Sequence, residues 1–265
     1  MHRPRKRFGQ NFLHDQQVID RIIAAADLQP GDRILEIGPG PGALTERLLA
    51  TELPVLAVEI DRDLAENLRQ RGLPNLEVIT GDVLRLDWSQ LLTAPPYKLI
   101  ANLPYNISSQ VLFKILDYRR LLVGQVLMFQ KEVGDRLVAP PDCRDYGILS
   151  VLMQTWFEID KVVKVPPGAF YPPPKVDSLV LRLSPRPAPR WPILDEVLYR
   201  RLVRSAFAQR RKTLRNSLLG SGWPATQVDQ AFDALGIDAR RRGETLTLEE
   251  YASLANHFVS RTEGD

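Results

Sequence analysis

The sequence predicts an α/β fold, with a Rossmann-like, mostly parallel sheet, an antiparallel hairpin at one edge, and a small all-helical domain after it. Three observations carry this. Short apolar runs alternate with helical patterns through the first two thirds of the chain; the last two such runs have only proline-rich sequence between them; and beyond a second proline-rich stretch the pattern is helical throughout.

The candidate strands are Arg33–Ile37, Val55–Ile60, Leu76–Thr80, Lys98–Asn102, Gly124–Phe129, Val151–Val162 and Ser178–Leu183. Amphipathic stretches such as Leu44–Ala50, Arg62–Arg71 and Ser109–Leu116 lie between them and are read as helices covering both faces. Pro166–Pro174 is too short and too rich in proline for a crossover helix, so the final two strands are expected to pair as an antiparallel hairpin. Ser184-Pro-Arg-Pro-Ala-Pro-Arg190 reads as a linker. After it Leu194, Leu198, Leu202 and Ala206 recur at i+4, with Val203 and Phe207 broadening the face. Thr247-Leu-Glu-Glu250 is a capping box opening a last helix with Tyr251, Leu254 and Phe258, and the tail Arg261–Asp265 is expected to be unstructured. The expected domains are therefore 1–184 and 185–265.

Composition narrows the function classes. With 44% hydrophobic and 25% charged residues in 265, the chain reads as an ordinary soluble protein, and no apolar run approaches the ~18 residues of a membrane span. Cys143 is the only cysteine and the three histidines, His2, His14 and His257, lack ligand spacing, so neither a disulfide nor a metal site is expected, and a reducing, cytoplasmic compartment fits. The net charge of +3 is small, yet basic residues cluster: Arg3, Arg5, Lys6 and Arg7 open the chain. Arg200, Arg201, Arg204, Arg210, Arg211, Lys212 and Arg215 form a run with no acid between its ends, and Arg240-Arg241-Arg242 forms a third cluster. Such groups point to nucleic-acid phosphates, against the plainer reading of a solvated face. With motif-bearing sequence already present at Phe8, the opening arginines are not read as a transit peptide.

Glu36-Ile-Gly38-Pro-Gly40-Pro-Gly42-Ala43 sits between the first strand and a helix, and formally satisfies a dinucleotide fingerprint. Pro39 and Pro41, however, have no N–H to offer a pyrophosphate. A ligand without phosphates at that point, such as S-adenosylmethionine, does not miss those donors. Glu59 ends the second strand, 21 residues after Gly38, where an acid would accept both ribose hydroxyls, and Asp82 ends the third, where a carboxylate would take an adenine amino group.

Asn102-Leu103-Pro104-Tyr105 ends the fourth strand. The Asn102 side-chain oxygen and the Leu103 carbonyl would accept the two hydrogens of an exocyclic base amine and aim its lone pair at an electrophile. Pro104 stiffens the turn, and Tyr105, with Phe170 on the other side, would sandwich a flipped base. The alternative for Phe170 is core packing at the sheet edge.

These motifs resemble those of the ribosomal RNA small-subunit adenine dimethyltransferases, the KsgA/RsmA family. The resemblance covers almost the whole chain through Arg7-Phe-Gly-Gln-Asn-Phe-Leu13, Leu35-Glu-Ile-Gly-Pro-Gly40, Val58-Glu-Ile-Asp61, Gly81-Asp-Val83 and Asn102-Leu-Pro-Tyr-Asn-Ile-Ser108. Further on it rests on Met128-Phe-Gln-Lys-Glu132, Asp145-Tyr-Gly147, Val165-Pro-Pro167, Pro172-Pro-Pro-Lys-Val-Asp177 and Phe207-Ala-Gln-Arg-Arg-Lys-Thr-Leu-Arg-Asn216. It implies a class I S-adenosylmethionine-dependent methyltransferase fold and N6,N6-dimethylation of two adjacent adenosines in the 3′-terminal hairpin of small-subunit rRNA, by a monomer without a metal. It places cofactor binding on Asn11, Leu13, Gly38, Glu59, Asp82 and Asn102. Pro41 departs from the leucine of many relatives. Arg204, Arg210, Arg211, Lys212 and Arg215 are the expected RNA contacts, on the helical domain, with the small ribosomal subunit as partner.

Three rivals remain in view. A sister class methylates adenine in large-subunit rRNA and confers macrolide resistance. An assembly factor would use the same fold for binding alone. A dehydrogenase would need phosphate donors and an acid/base histidine, which the motifs do not supply.

Overall fold

The computed structural model describes residues 10–262. Arg3, Arg5, Lys6, Arg7 and Phe8 lie outside the described residues, as do 263–265 of the tail, whereas Arg261 and Thr262 continue the last helix. In chain order the elements are β1 (Phe12–Leu13), α1 (Gln16–Ala26), β2 (Ile34–Ile37), α2 (Ala43–Leu49), β3 (Val55–Glu59), α3 (Arg62–Gln70), β4 (Leu76–Thr80), α4 (Trp88–Leu91), β5 (Tyr97–Asn102), α5 (Ser108–Asp117) and β6 (Leu122–Gln130). There follow α6 (Lys131–Leu137), α7 (Ile148–Trp156), β7 (Phe157–Val165), β8 (Phe170–Tyr171), β9 (Ser178–Pro185), α8 (Glu196–Phe207), α9 (Leu214–Gly220), α10 (Ala225–Leu235) and α11 (Leu248–Thr262).

Two compact units divide the chain. One comprises Met1–Gly134 with Glu158–Pro185, the other Asp135–Phe157 with Arg186–Asp265. The helical unit is thus discontinuous in sequence, not the single span 185–265, because it also takes in α7. Val151–Val162, expected as one strand, is the end of α7 followed by β7. The physical reason is burial all round: Val151, Leu152, Met153 and Trp156 are all covered, and a short continuous apolar run reads alike as buried helix or buried strand. Ser150 marks the helix start, its hydroxyl accepting from Gly147 N–H at 3.0 Å and donating to the Arg136 carbonyl at 2.6 Å.

In the first unit seven strands lie in the order β4-β3-β2-β5-β6-β9-β7. The pairs β2–β3, β3–β4, β2–β5 and β5–β6 are parallel, β9 runs antiparallel to β6, and β7 flanks β9 at the edge. β2 and β3 are buried along their whole length, as parallel strands covered on both faces must be. Chain order reverses direction across the sheet between β2 and β5, so the crevice at their carboxyl ends is where such a sheet takes a ligand. A two-residue ladder of β1 with β8 stands apart from this sheet.

In the helical unit α8 buries Tyr199, Leu202, Val203 and Ala206. Leu194, expected on that face from periodicity, precedes the helix and is 66% exposed. The Thr247–Glu250 capping box forms, with reciprocal hydrogen bonds of 3.1 and 2.8 Å at the start of α11.

Glu36 carries a cost that the strand imposes. It sits in β2 with only 1% of its surface exposed, and burial pushes its carboxyl up to about 8, opposed by the Thr45 hydroxyl that donates to it at 2.7 Å and reinforced by Glu59. Between the ordinary carboxylate value and about 8, the folded chain holds a proton that the unfolded chain has lost. Stability therefore falls as pH rises through that window. Glu36→Gln, neutral at every pH, should flatten the fall, by on the order of 4 kcal/mol between pH 5 and 9 in unfolding free energies from urea titrations. Equal slopes for the two proteins would mean that Glu36 is ionised in the fold.

Candidate active site

The carboxyl ends of β2, β3, β4 and β5 open onto one cleft, whose lining includes Glu36, Gly38, Pro39, Gly40, Glu59, Asp82, Asn102 and Tyr105. The glycine loop leaves β2 through backbone that only glycine adopts readily: at Gly40 φ is +58°, and a Cβ there would stand 3.1 Å from the Phe12 ring. Every glycine N–H in the loop is already committed. Gly38 donates to the Val58 carbonyl at 2.9 Å, Gly40 to Glu59 Oε2 at 3.0 Å and Gly42 to the Pro39 carbonyl at 3.0 Å. The intervening prolines have none. With its glycine N–H groups committed and its prolines lacking one, the loop itself offers a phosphate no donor, which weighs against the dinucleotide reading.

Acceptors line the cleft instead. Glu59 is 4% exposed; its Oε1 accepts from Asp61 N–H at 2.9 Å, leaving lone pairs on both oxygens for ligand hydroxyls. Burial pushes its carboxyl up, and the backbone donors from Asp61 and Gly40 oppose that. Asp82 Oδ1 accepts from Leu84 N–H at 3.0 Å, an Asx turn that fixes the carboxylate at the end of β4, and Oδ2 lies 3.5 Å from Arg85. Glu36, Glu59, Asp82 and the Asn102 oxygen suit a ligand rich in donors and positive charge. S-adenosylmethionine, with a sulfonium, an ammonium, two ribose hydroxyls and an adenine amine, meets that demand.

A strap made of residues 10–13 crosses the cleft. Gln10 Nε2 donates to Asp61 Oδ2 at 3.1 Å, Phe12 packs on Gly40, and the Asn11 carbonyl accepts from Asn102 Nδ2 at 3.1 Å. A carbonyl can only accept, so Asn102 must turn its NH2 to Asn11 and its oxygen the other way. Leu103 is buried, its N–H donating to the Met128 carbonyl at 3.3 Å, and Tyr105 is pinned by a 2.6 Å hydrogen bond between its hydroxyl and Ser178. Burial pushes the Tyr105 phenol up, against the lowering effect of its hydrogen bond with Ser178.

Phe170 does not form the other half of a sandwich in this conformation. It is 2% exposed, outside the cleft lining, and belongs to the hydrophobic core with Leu13, its partner in the β1–β8 ladder. Alternation decides this: the ladder turns Leu13 and Phe170 to the core, while Phe12 lines the cleft and its partner Tyr171 is 62% exposed. Leu13 likewise reaches the cleft wall although it is mostly core.

The five expected RNA contacts lie in the helical unit. Arg215 is bound in a fork to Asp229 at 2.6 and 2.9 Å, and Arg210 faces Glu244 at 3.5 Å. Arg204, Arg211 and Lys212 are exposed. Among the described residues no group of three or more His, Cys, Asp or Glu is placed to hold a metal ion, and no helix is long and apolar enough to cross a membrane.

Sequence reasoning passed over Glu36, Gln10, Phe12 and Ser178. A charged residue inside an otherwise apolar strand, next to the glycine loop, was the available signal for Glu36; Gln10 and Phe12 sit within the Arg7–Leu13 motif, which carries no local sign of their partners, and Ser178 has no signal of its own.

The family model described as ribosomal RNA adenine dimethylase matches residues 1–259. The ribosomal RNA small subunit methyltransferase A of Syntrophotalea carbinolica is 60% identical over 97% of this chain and 99% of its own. Among solved structures, a dimethyladenosine transferase from Plasmodium falciparum aligns with a TM-score of 0.81 at 28% identity, over 95% of this chain and 98% of that one. The 23S rRNA methyltransferase ErmE aligns with a TM-score of 0.68 at 31% identity, over 93% and 99%. With an acceptor-lined cleft at the sheet's switch point and a match of this extent, the chain belongs to the ribosomal RNA adenine dimethylase family.

Proposed function

We propose that this protein transfers methyl groups from S-adenosylmethionine to N6 of two adjacent adenosines in the 3′-terminal hairpin of small-subunit rRNA, giving N6,N6-dimethyladenosine during small-subunit biogenesis. The observation that carries the reading is the Asn102 amide, fixed by Asn11 with its oxygen turned away and set beside the Leu103 carbonyl and the Tyr105 ring. When bound, S-adenosylmethionine supplies a methyl group on a sulfonium, an electrophile that needs no metal or further activation. Glu59 would take the ribose hydroxyls, Asp82 the adenine amine, Glu36 the ammonium, and Asn11, Leu13 and Gly38 would close the backbone around it.

An adenine amine is a poor nucleophile because its lone pair is delocalised into the ring. Asn102 Oδ1 and the Leu103 carbonyl accept its two hydrogens, draw the nitrogen towards tetrahedral geometry and direct its lone pair along the line of transfer. Tyr105 stacks on the flipped base, an interaction worth ~1–3 kcal/mol. The proton leaves only after the new bond has made the nitrogen acidic, so water suffices as its acceptor; among the described residues no histidine lines the cleft. In the second transfer the monomethylated amine has one hydrogen left, and one of the two acceptors holds it. Phe170 joins the stack only if β8 uncovers it.

The helical unit would contact rRNA backbone through Arg204, Arg211 and Lys212, with Arg210 and Arg215 held by acids until a phosphate competes for them. The protein would act as a monomer, in the cytoplasm, on the small subunit. The large-subunit reading is favoured less, since identity is 60% to the small-subunit enzyme and 31% to ErmE. A purely non-catalytic assembly role would leave the complete acceptor set without use.

Asn102→Ala should lower methyl transfer at least ~10²-fold while circular dichroism stays close to the parent; near-normal turnover would sink the site assignment. Digesting labelled products to nucleosides should give dimethyladenosine from unmethylated small subunits and none from large subunits, and the reverse pattern would move the chain to the resistance class. Charge reversal at Arg211 and Lys212 should weaken rRNA binding and flatten its dependence on salt, by a slope of ~0.7–0.9 for each phosphate no longer neutralised. Unchanged affinity would place the RNA surface elsewhere.

A further inference from the structure

We infer that Arg71 is a positioning residue for the cofactor loop, holding Pro41 and Gly42 in the shape that receives S-adenosylmethionine; this rests on the reading of the cleft given above. Arg71 caps the carboxyl end of α3 and is not part of the cleft lining. Its guanidinium reaches back 30 positions in the chain: Nη2 donates to the Pro41 carbonyl at 2.7 Å, and Nη1 to Glu46 Oε1 at 2.8 Å in the first turn of α2. The same group lies on Gly42, where a Cβ would come within 3.1 Å of Nη1 and 3.0 Å of the Leu68 side chain.

The loop needs an external holder at this point. Pro41 brings no N–H, so its carbonyl is the only polar handle it has. The following residue, Gly42, has φ of +100°, a conformation with little intrinsic preference for one orientation of the peptide before it. Gly42 N–H is bound to the Pro39 carbonyl within the loop, which closes the turn but does not tie it to the rest of the fold. Arg71 supplies that tie, and with two donors in one rigid plane it joins the loop and α2 to α3 at once. A lysine, with one point of charge, cannot serve both acceptors in the same geometry.

Because Arg71 acts through the loop and not on the ligand, its loss should be felt as the cost of ordering the loop when the cofactor arrives. The reacting amine is held from β5, by Asn102 and Leu103, so the transfer step and RNA recognition should not change. The Glu46 carboxylate leaves the pair neutral, so Arg71 does not repel a cationic ligand.

The test is the affinity of Arg71→Ala and Arg71→Lys for S-adenosylmethionine by calorimetry, with steady-state kinetics on unmethylated small subunits. Arg47→Ala, which removes the surface ion pair between α2 and Asp20, is the control. The inference predicts that Arg71→Ala raises Kd and KM for the cofactor about tenfold, with kcat and KM for the subunit unchanged. Arg71→Lys should fall between the alanine variant and the parent, and Arg47→Ala should match the parent. Parent-like cofactor affinity in both Arg71 variants overturns the inference, as does a parallel loss in kcat, both KM values and melting temperature, which marks a merely structural role. If Arg71→Ala does not fold, the lysine variant decides by the same criteria. A parent protein that binds no S-adenosylmethionine at all would instead overturn the reading of the cleft.

Discussion

The hydrogen bond from Asn102 Nδ2 to the Asn11 carbonyl is the constraint on which the site depends. An amide side chain at the end of a strand can present either its oxygen or its nitrogen, and the two choices have opposite chemistry towards an exocyclic amine. A backbone carbonyl on one side removes the choice. That carbonyl is itself held because the strap is fastened at several points: Gln10 to Asp61, Phe12 on Gly40, and Leu13 in the ladder with Phe170. The Asp61 N–H in turn donates to Glu59, and Glu59 accepts from Gly40. The group that would grip the ribose and the group that would orient the amine therefore belong to one hydrogen-bonded chain.

That chain also explains why the cleft tolerates so much buried acid. Glu36, Glu59 and Asp61 are each less than 5% exposed, an arrangement that costs stability unless something compensates. Glu59 and Asp61 are compensated by backbone and side-chain donors. The Glu36 carboxyl has the Thr45 hydroxyl as its donor, too little to offset its burial, and it responds by holding its proton. A ligand ammonium would reverse this, favouring the ionised form and releasing the proton.

Much of this was legible from sequence because parallel strands advertise themselves. Buried on both faces, β2, β3 and β5 appear as nearly continuous apolar runs, interrupted within by Glu36 and Lys98, and the polar residues that end them mark the ligand edge without any knowledge of packing. The same rule misled at Val151–Val162, where an equally apolar run begins as a helix covered on all sides. Phe170 shows a different limit. Its motif is conspicuous, but which face of a two-residue strand meets the core is settled by its partner Leu13, 157 positions earlier, and no local pattern contains that information.

Charge is where local reading overstates most. The run from Arg200 to Arg215 has no acid within it, yet folding brings acids to it from both sides: Glu196 to Arg200, Asp229 to Arg215, Glu244 to Arg210. The third cluster is similarly answered, Arg240 by Asp238 and Arg241 by Glu250. Their exposure differs: Arg240–Asp238 is open to solvent, whereas Arg200–Glu196 and Arg241–Glu250 are partly buried, so the first is weak and the others are better shielded from competing anions. Arg211 and Lys212 lie in the run between the paired Arg210 and Arg215 and are exposed, the feature on which their proposed RNA contact rests. An acid-free run in the sequence is therefore no measure of free charge in the fold, because its partners arrive from outside the run.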